Sequence, residues 1–215
     1  MSRPMMRFPA VLTVLVLACV IPEVAFHLFP YPELVRNRMI QSFAFWPGLL
    51  RGWRANYAFQ PELMFLTYGF LHAGIMHLLF NMLTLISLGR PLVEELGQGR
   101  FLILYLAAQI GGGAGYALLA AQPAPMVGAS GALFGLAGAL VWMRLREGLS
   151  AMTPAEALRD IAWPVLLLVG MNVVMYVAMD GQLAWETHLG GFLAGAAVMA
   201  VLWRRGDPDN SDHSP

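Results

Sequence analysis

Six apolar stretches constrain this chain more than anything else in it. Each approaches the roughly 20 residues needed to cross ~30 Å of hydrocarbon. They run at about 8–28, 65–88, 101–121, 126–143, 161–179 and 184–203. Backbone groups in lipid must bond within their own segment, so such stretches read as helices. The expectation is an all-α, polytopic membrane protein: a bundle of six transmembrane helices forming one domain, residues 1–205. Composition agrees, with 58% hydrophobic and only 12% charged residues among 215, against about 25% charged in soluble chains. A net charge of zero gives no basic surface for nucleic acid. The single cysteine, Cys19, excludes an internal disulfide.

Arginine placement orients the bundle. With the N-terminus in the cytoplasm, Arg3, Arg7, Arg90, Arg100, Arg144, Arg146, Arg159, Arg204 and Arg205 fall inside. Arg36, Arg38, Arg51 and Arg54 fall outside, all in one long loop where the positive-inside rule is weaker. Both termini are then cytoplasmic. Arg3, Arg7 and Val11–Val20 also resemble a signal peptide, but no small-residue cleavage site follows, and a retained first helix is expected. That helix contains Pro22, Glu23 and His27, so its outer end is expected to be irregular or interfacial. Residues 206–215, GDPDNSDHSP, read as a disordered cytoplasmic tail. The outer loop, 28–62, mixes Phe43, Phe45, Trp46, Trp53, Tyr57 and Phe59 with arginine, the composition of a segment at headgroup level.

Polar groups inside apolar stretches need a reason. The second stretch carries His72, His77 and Asn81. At about 100° per residue His77 and Asn81 share a face, while His72 looks elsewhere. The fourth carries Ser130 and the sixth His188. Ser130 lies five residues past Pro125 and His188 eight past Asp180, roughly 7 and 12 Å below their loops. His77 sits deeper by count, about 12 residues into its own stretch, but the long loop before it is expected to enter the membrane already. All of these fall in the outer half. Glycines select the neighbours: Gly131, Gly135 and Gly138 stripe helix four, and Gly191 and Gly195 form a GxxxG on helix six. Small residues let membrane helices approach closely, and packing four on six brings Ser130 within reach of His188.

Taken singly, an intramembrane serine bonds back to its own helix and a GxxxG is a packing face. Their coincidence in one leaflet points to chemistry. Serine needs a base to become a nucleophile, and a neutral His188 can supply it. Acyl transfer also needs donors aimed at the developing oxyanion. His77, the Asn81 amide and the backbone N–H of Ser130, at a helix N-terminus, can supply three. No carboxylate lies at matching depth, since Glu186 reads as a surface residue. The arrangement is therefore expected to be a Ser–His dyad, with Asn172 of helix five a packing hydrogen bond. A polar path for transport would instead spread polar residues across both leaflets.

Gly128-Ala129-Ser130-Gly131, His188 with Gly191 and Gly195, and His72-x4-His77-x3-Asn81 together resemble the rhomboid intramembrane serine proteases of the bacterial six-helix type. The resemblance covers residues 60–203. It implies Ser130 as nucleophile, His188 as general base, and His77, Asn81 and the Ser130 amide as oxyanion hole. His72 and Gly128 take supporting roles, and Phe134 stands where some members stack a tyrosine on the catalytic histidine. The resemblance further implies an endopeptidase that needs no metal or cofactor. Its partners would be the lipid bilayer and transmembrane protein substrates, cut near their outer ends at a site opening outward from a bacterial inner membrane. A catalytically silent relative that only binds transmembrane segments is the alternative, though such a protein would be expected to lack the serine or histidine. One departure concerns the Trp-Arg that many members carry before the first histidine; Leu63-Met64 stands there in this chain.

Overall fold

A computed structural model of the chain describes residues 8–178 and 182–204; the tail at 206–215 lies outside the described residues. Among those residues there are seven α-helices: α1 (Ala10–Leu28), α2 (Pro32–Phe43), α3 (Gln60–Thr67), α4 (Ile75–Leu119), α5 (Ser130–Ala151), α6 (Pro154–Ala178) and α7 (Trp185–Arg204). Three are long and apolar enough to cross a membrane, namely α4, α6 over Pro154–Val177 and α7 over Trp185–Trp203. A shorter apolar helix covers Ala10–Phe26. The chain is an integral, all-helical membrane protein.

The count is seven helices, not six, for two physical reasons. The outer loop is not loop: it folds into α2 and α3. The second and third stretches are joined, because 89–100 is helical except at Gly97. There φ is 75° and ψ 161°, a backbone that only glycine adopts cheaply. Either side of it, 75–96 and 98–119 are each about 33 Å long. Other boundaries also move. The second stretch becomes helical at Ile75, not at 65, after α3 and a short 3-10 turn at Tyr68–Phe70. Helix α6 begins at Pro154, not at 161, because Thr153 and Glu156 make a capping box. The Thr153 N–H donates to Glu156 Oε2 at 2.9 Å and the Glu156 N–H to Thr153 Oγ1 at 3.4 Å. The second half of α1, expected to be irregular or interfacial, is not irregular: it stays helical through Pro22 to Leu28.

The chain packs as two compact units. The first comprises Met1–Ile103 with Ala124–Ala129. Its organising feature is the C-terminus of α2, whose last four carbonyls lie beyond all helical bonding but that of the Ala44 N–H to Ile40 at 3.1 Å. Each is met by a side chain: Ile40 by Trp46 Nε1 at 2.9 Å, Gln41 by Gln60 Nε2 at 2.8 Å, Ser42 by the Tyr57 hydroxyl at 2.8 Å and Phe43 by Thr67 Oγ1 at 2.7 Å. Phe45 then pairs with Met126 in an antiparallel bridge and packs edge-on to Phe65 and Tyr68. The aromatic residues read as a headgroup-level belt thus also tie the segment to itself. The charged side chain inside the first stretch is accounted for too: Glu23 is buried and paired with Arg36, which lies 4.8 Å over the Phe26 ring.

The second unit comprises Leu104–Pro123 and Ser130–Pro215. Glycine packing builds it. A Cβ on Gly191 or Gly195 of α7 would overlap the carbonyl oxygen of Gly131 or Gly135 on α5, and one on Gly138 would overlap the Phe192 carbonyl. The next positions round α7, Gly190 and Ala194, press on Gly115 and Gly111 in the last turns of α4. Helix α7 is therefore held on two sides by backbone-to-backbone contact, the second of which the stripe on helix six did not reveal. Helix α6 is different in kind. None of its most apolar residues is buried, and its start is tied to α5 by Arg144 Nε and Asp160 Oδ2 at 2.6 Å.

Gly195→Ala should lower thermal stability in detergent by about 1–3 kcal/mol, the usual cost of overpacking. Gly170→Ala, on α6 with open space around it, should be neutral or stabilising by up to about 1 kcal/mol through helix propensity. Equal unfolding temperatures for the two variants would contradict the packing described.

Candidate active site

Ser130 is the first residue of α5 rather than a residue one turn inside it. The four residues before it are not helical. Met126 is engaged with Phe45, and the Gly128 N–H donates to the Tyr68 carbonyl at 3.0 Å. Gly128 has φ 121°, outside what a side-chain-bearing residue adopts readily. Starting at Ser130, α5 leaves the Ser130 N–H among the unpaired donors of a helix N-terminus. Its hydroxyl has no earlier turn to bond back to.

The hydroxyl bonds instead across to α7. His188 Nε2 lies 2.9 Å from Ser130 Oγ, and His188 is 8% exposed. Gly131 against Gly191 sets that distance: each glycine adjoins its helix's polar residue or follows it by less than a turn. Phe134, one turn along from Ser130, stacks on the imidazole with centroids 4.2 Å apart and planes 9° from parallel. The other ring nitrogen, Nδ1, is 2.6 Å from Asn172 Oδ1 of α6. That contact departs from the sequence expectation, in which Asn172 only packs. Its amide does bond to its own helix, Nδ2 donating to the Leu168 carbonyl at 3.0 Å, but half of it reaches the imidazole. A polar side chain in an otherwise lipid-exposed helix was the available signal. Beside His188 opens a largely apolar cavity of about 590 Å³, lined by α6 and α7 with Phe134, Tyr176 and Trp185 among its walls.

The first unit holds the other candidates. His77 is the third residue of α4, not twelve residues into a helix. Its Nδ1 accepts the Ala73 N–H at 3.3 Å. In a neutral ring that assigns the proton to Nε2, which is left as a donor. A Cβ at Gly128 would lie 2.7 and 2.9 Å from His77 Cε1 and Nε2, so only a glycine leaves the ring its place. Asn81 is 5% exposed and gives Nδ2 to the His77 carbonyl at 2.8 Å, keeping a second N–H. His72 is buried with its ring 5.2 Å from that of His77, edge to face. Its carbonyl accepts from Arg36 Nη1 at 2.9 Å. The Glu23–Arg36 pair therefore steadies the backbone just before His77. Sequence reasoning missed Arg36; the signal was Glu23, a charge in an apolar stretch that required a partner.

The second unit thus pairs a serine with an imidazole on close-packed helices. Comparison with known proteins gives the family. Residues 52–205, well over half of the chain, match the Rhomboid domain. The chain is 36% identical over 132 residues to Rhomboid protease GluP of Bacillus subtilis, covering 61% of this chain and 24% of that protein. It is 35% identical over 136 residues to RHOMBOID-like protein 5 of Arabidopsis thaliana, covering 63% and 42%. To Putative rhomboid protease YdcA of Bacillus subtilis it is 31% identical over 167 residues, covering 76% and 81%. The chain spans less than half the length of the first two relatives. With a domain match that runs from the outer segment to the end of α7, this helical membrane protein belongs to the rhomboid family.

Proposed function

We propose that the chain is an intramembrane serine endopeptidase that cleaves transmembrane segments of other membrane proteins near their outer ends. The observation that carries this reading is the 2.9 Å contact between His188 Nε2 and Ser130 Oγ. In the reaction, Nε2 takes the Ser130 proton as Oγ attacks the scissile carbonyl carbon. The resemblance to the family assigns the tetrahedral oxyanion to His77, Asn81 and the Ser130 amide. Collapse breaks the C–N bond, and the imidazolium returns its proton to the departing amine. Water, deprotonated by the same imidazole, then releases the acyl group and restores Ser130.

A substrate helix must unwind locally to present its carbonyl, because its backbone groups are otherwise committed to internal bonds. Small or helix-breaking residues near the scissile bond make that easier. In this reading α1, the two parts of α4, α5, α6 and α7 are the six spans. The arginine distribution supports cytoplasmic termini and a site that opens outward, as in a bacterial inner membrane.

A fluorophosphonate probe should label the wild type and neither Ser130→Ala nor His188→Ala. Equal labelling of all three would overturn the protease reading and leave a protein that only binds transmembrane segments. Asn81→Ala should retain labelling but cut turnover of a transmembrane substrate, by up to the 10²–10³-fold typical of a lost oxyanion donor. Gly128→Ala should lower turnover at least about tenfold, since the methyl displaces a group expected to contribute on that scale. Wild-type turnover in a folded Gly128→Ala protein would remove His77 from the oxyanion role.

A further inference from the structure

We infer that Asn172 is a positioning residue for His188, imposing on its imidazole the one neutral tautomer that can act as base. The inference rests on the reading of Ser130 and His188 as nucleophile and base. It makes the working unit Ser–His–Asn, contributed by α5, α7 and α6, with an uncharged amide in the third place.

The argument begins at a backbone carbonyl. The Leu168 oxygen has lone pairs and no proton, so the Asn172 atom 3.0 Å from it must be the amide nitrogen. The oxygen of that amide then faces His188 Nδ1 at 2.6 Å. This oxygen also carries no proton, so Nδ1 must donate. A neutral imidazole protonated on Nδ1 has its lone pair on Nε2, and the Ser130 hydroxyl 2.9 Å away donates to it. Each donor assignment forces the next. The opposite tautomer would set the Nδ1 lone pair against the amide oxygen at 2.6 Å and turn an N–H toward Ser130. Such a ring cannot take the serine proton.

Asn172 also supplies a restraint that Phe134 cannot. Stacking at 4.2 Å holds the plane of the ring. The hydrogen bond to Nδ1 anchors the ring edge opposite Nε2 and selects the nitrogen that carries the proton. When the imidazole gains the serine proton, the amide oxygen remains bonded to Nδ1–H and its dipole favours the cation. An aspartate in the triad arrangement does the same with full charge. After Asp160, α6 is apolar apart from Asn172, and its most apolar stretch is unburied. An amide is costly there, and its orientation toward His188 gives it a use.

Histidine-selective ¹⁵N NMR of the purified protein tests the tautomer, and kinetics on a fluorogenic transmembrane substrate tests its consequence. Wild type and Ser130→Ala should both show His188 protonated on Nδ1. Asn172→Leu should lose that signature and lower kcat on the order of 100-fold, less than the ~10⁴-fold of a charged triad member, with KM within about twofold. Asn172→Asp, which keeps an acceptor for Nδ1–H, should recover most of kcat. A wild-type His188 protonated on Nε2 would overturn the inference whatever the variants do. So would an Asn172→Leu enzyme with wild-type kcat, or failure of Asn172→Asp to exceed Asn172→Leu. Turnover by Ser130→Ala would instead sink the protease reading, a separate failure from any of these.

Discussion

The structure of the second unit depends on backbone-to-backbone contact between α5 and α7. With glycine at 131, 135, 191 and 195, carbonyl oxygens of one helix sit where side chains would stand on the other. No hydrophobic effect drives helices together inside lipid, so packing of this closeness supplies the association. Because Ser130 and His188 lie at adjoining ends of the same faces, the contact that assembles the unit also sets the separation of hydroxyl and imidazole. Fold and site are determined by one interface.

The two imidazoles, His77 and His188, are held in opposite proton assignments, and both assignments trace to the main chain. His77 accepts the Ala73 amide through Nδ1, so its proton lies on Nε2. His188 faces an amide oxygen whose orientation is dictated by the Leu168 carbonyl, so its proton lies on Nδ1. One ring is prepared to donate and the other to accept. Residue type alone does not distinguish them; the peptide group each one meets does.

What was legible in the sequence follows from what is local. Ser130, His188 and the glycines beside them stand out because polar and small residues interrupt apolar runs at helical spacing. Family motifs strengthen that pattern without depending on coordinates. Helix ends were less legible. The starts of α4 and α5 are displaced toward His77 and Ser130 by non-helical segments that hydropathy reads as continuous, and α6 starts early because of a capping box. Partners distant in sequence were least legible. Gly111 and Gly115 gain meaning only against α7, Arg36 only against Glu23, and Asn172 has a half-satisfied amide whose other half is 16 residues away on another helix.

That last feature couples two things usually treated separately. Helix α6 buries Ala157 near its start but nothing in its most apolar stretch, so little packing opposes displacement of that stretch. Yet it carries the amide bonded to the His188 imidazole. A shift of about an ångström stretches a 2.6 Å hydrogen bond beyond usefulness. On the proposed roles, the position of α6 and the competence of His188 are one variable: with the helix docked the imidazole keeps its Nδ1 bond, and with the helix displaced it loses it. Reciprocity requires that whatever aligns the base also favours the docked helix. Chemistry would be confined to the closed arrangement without any separate latch.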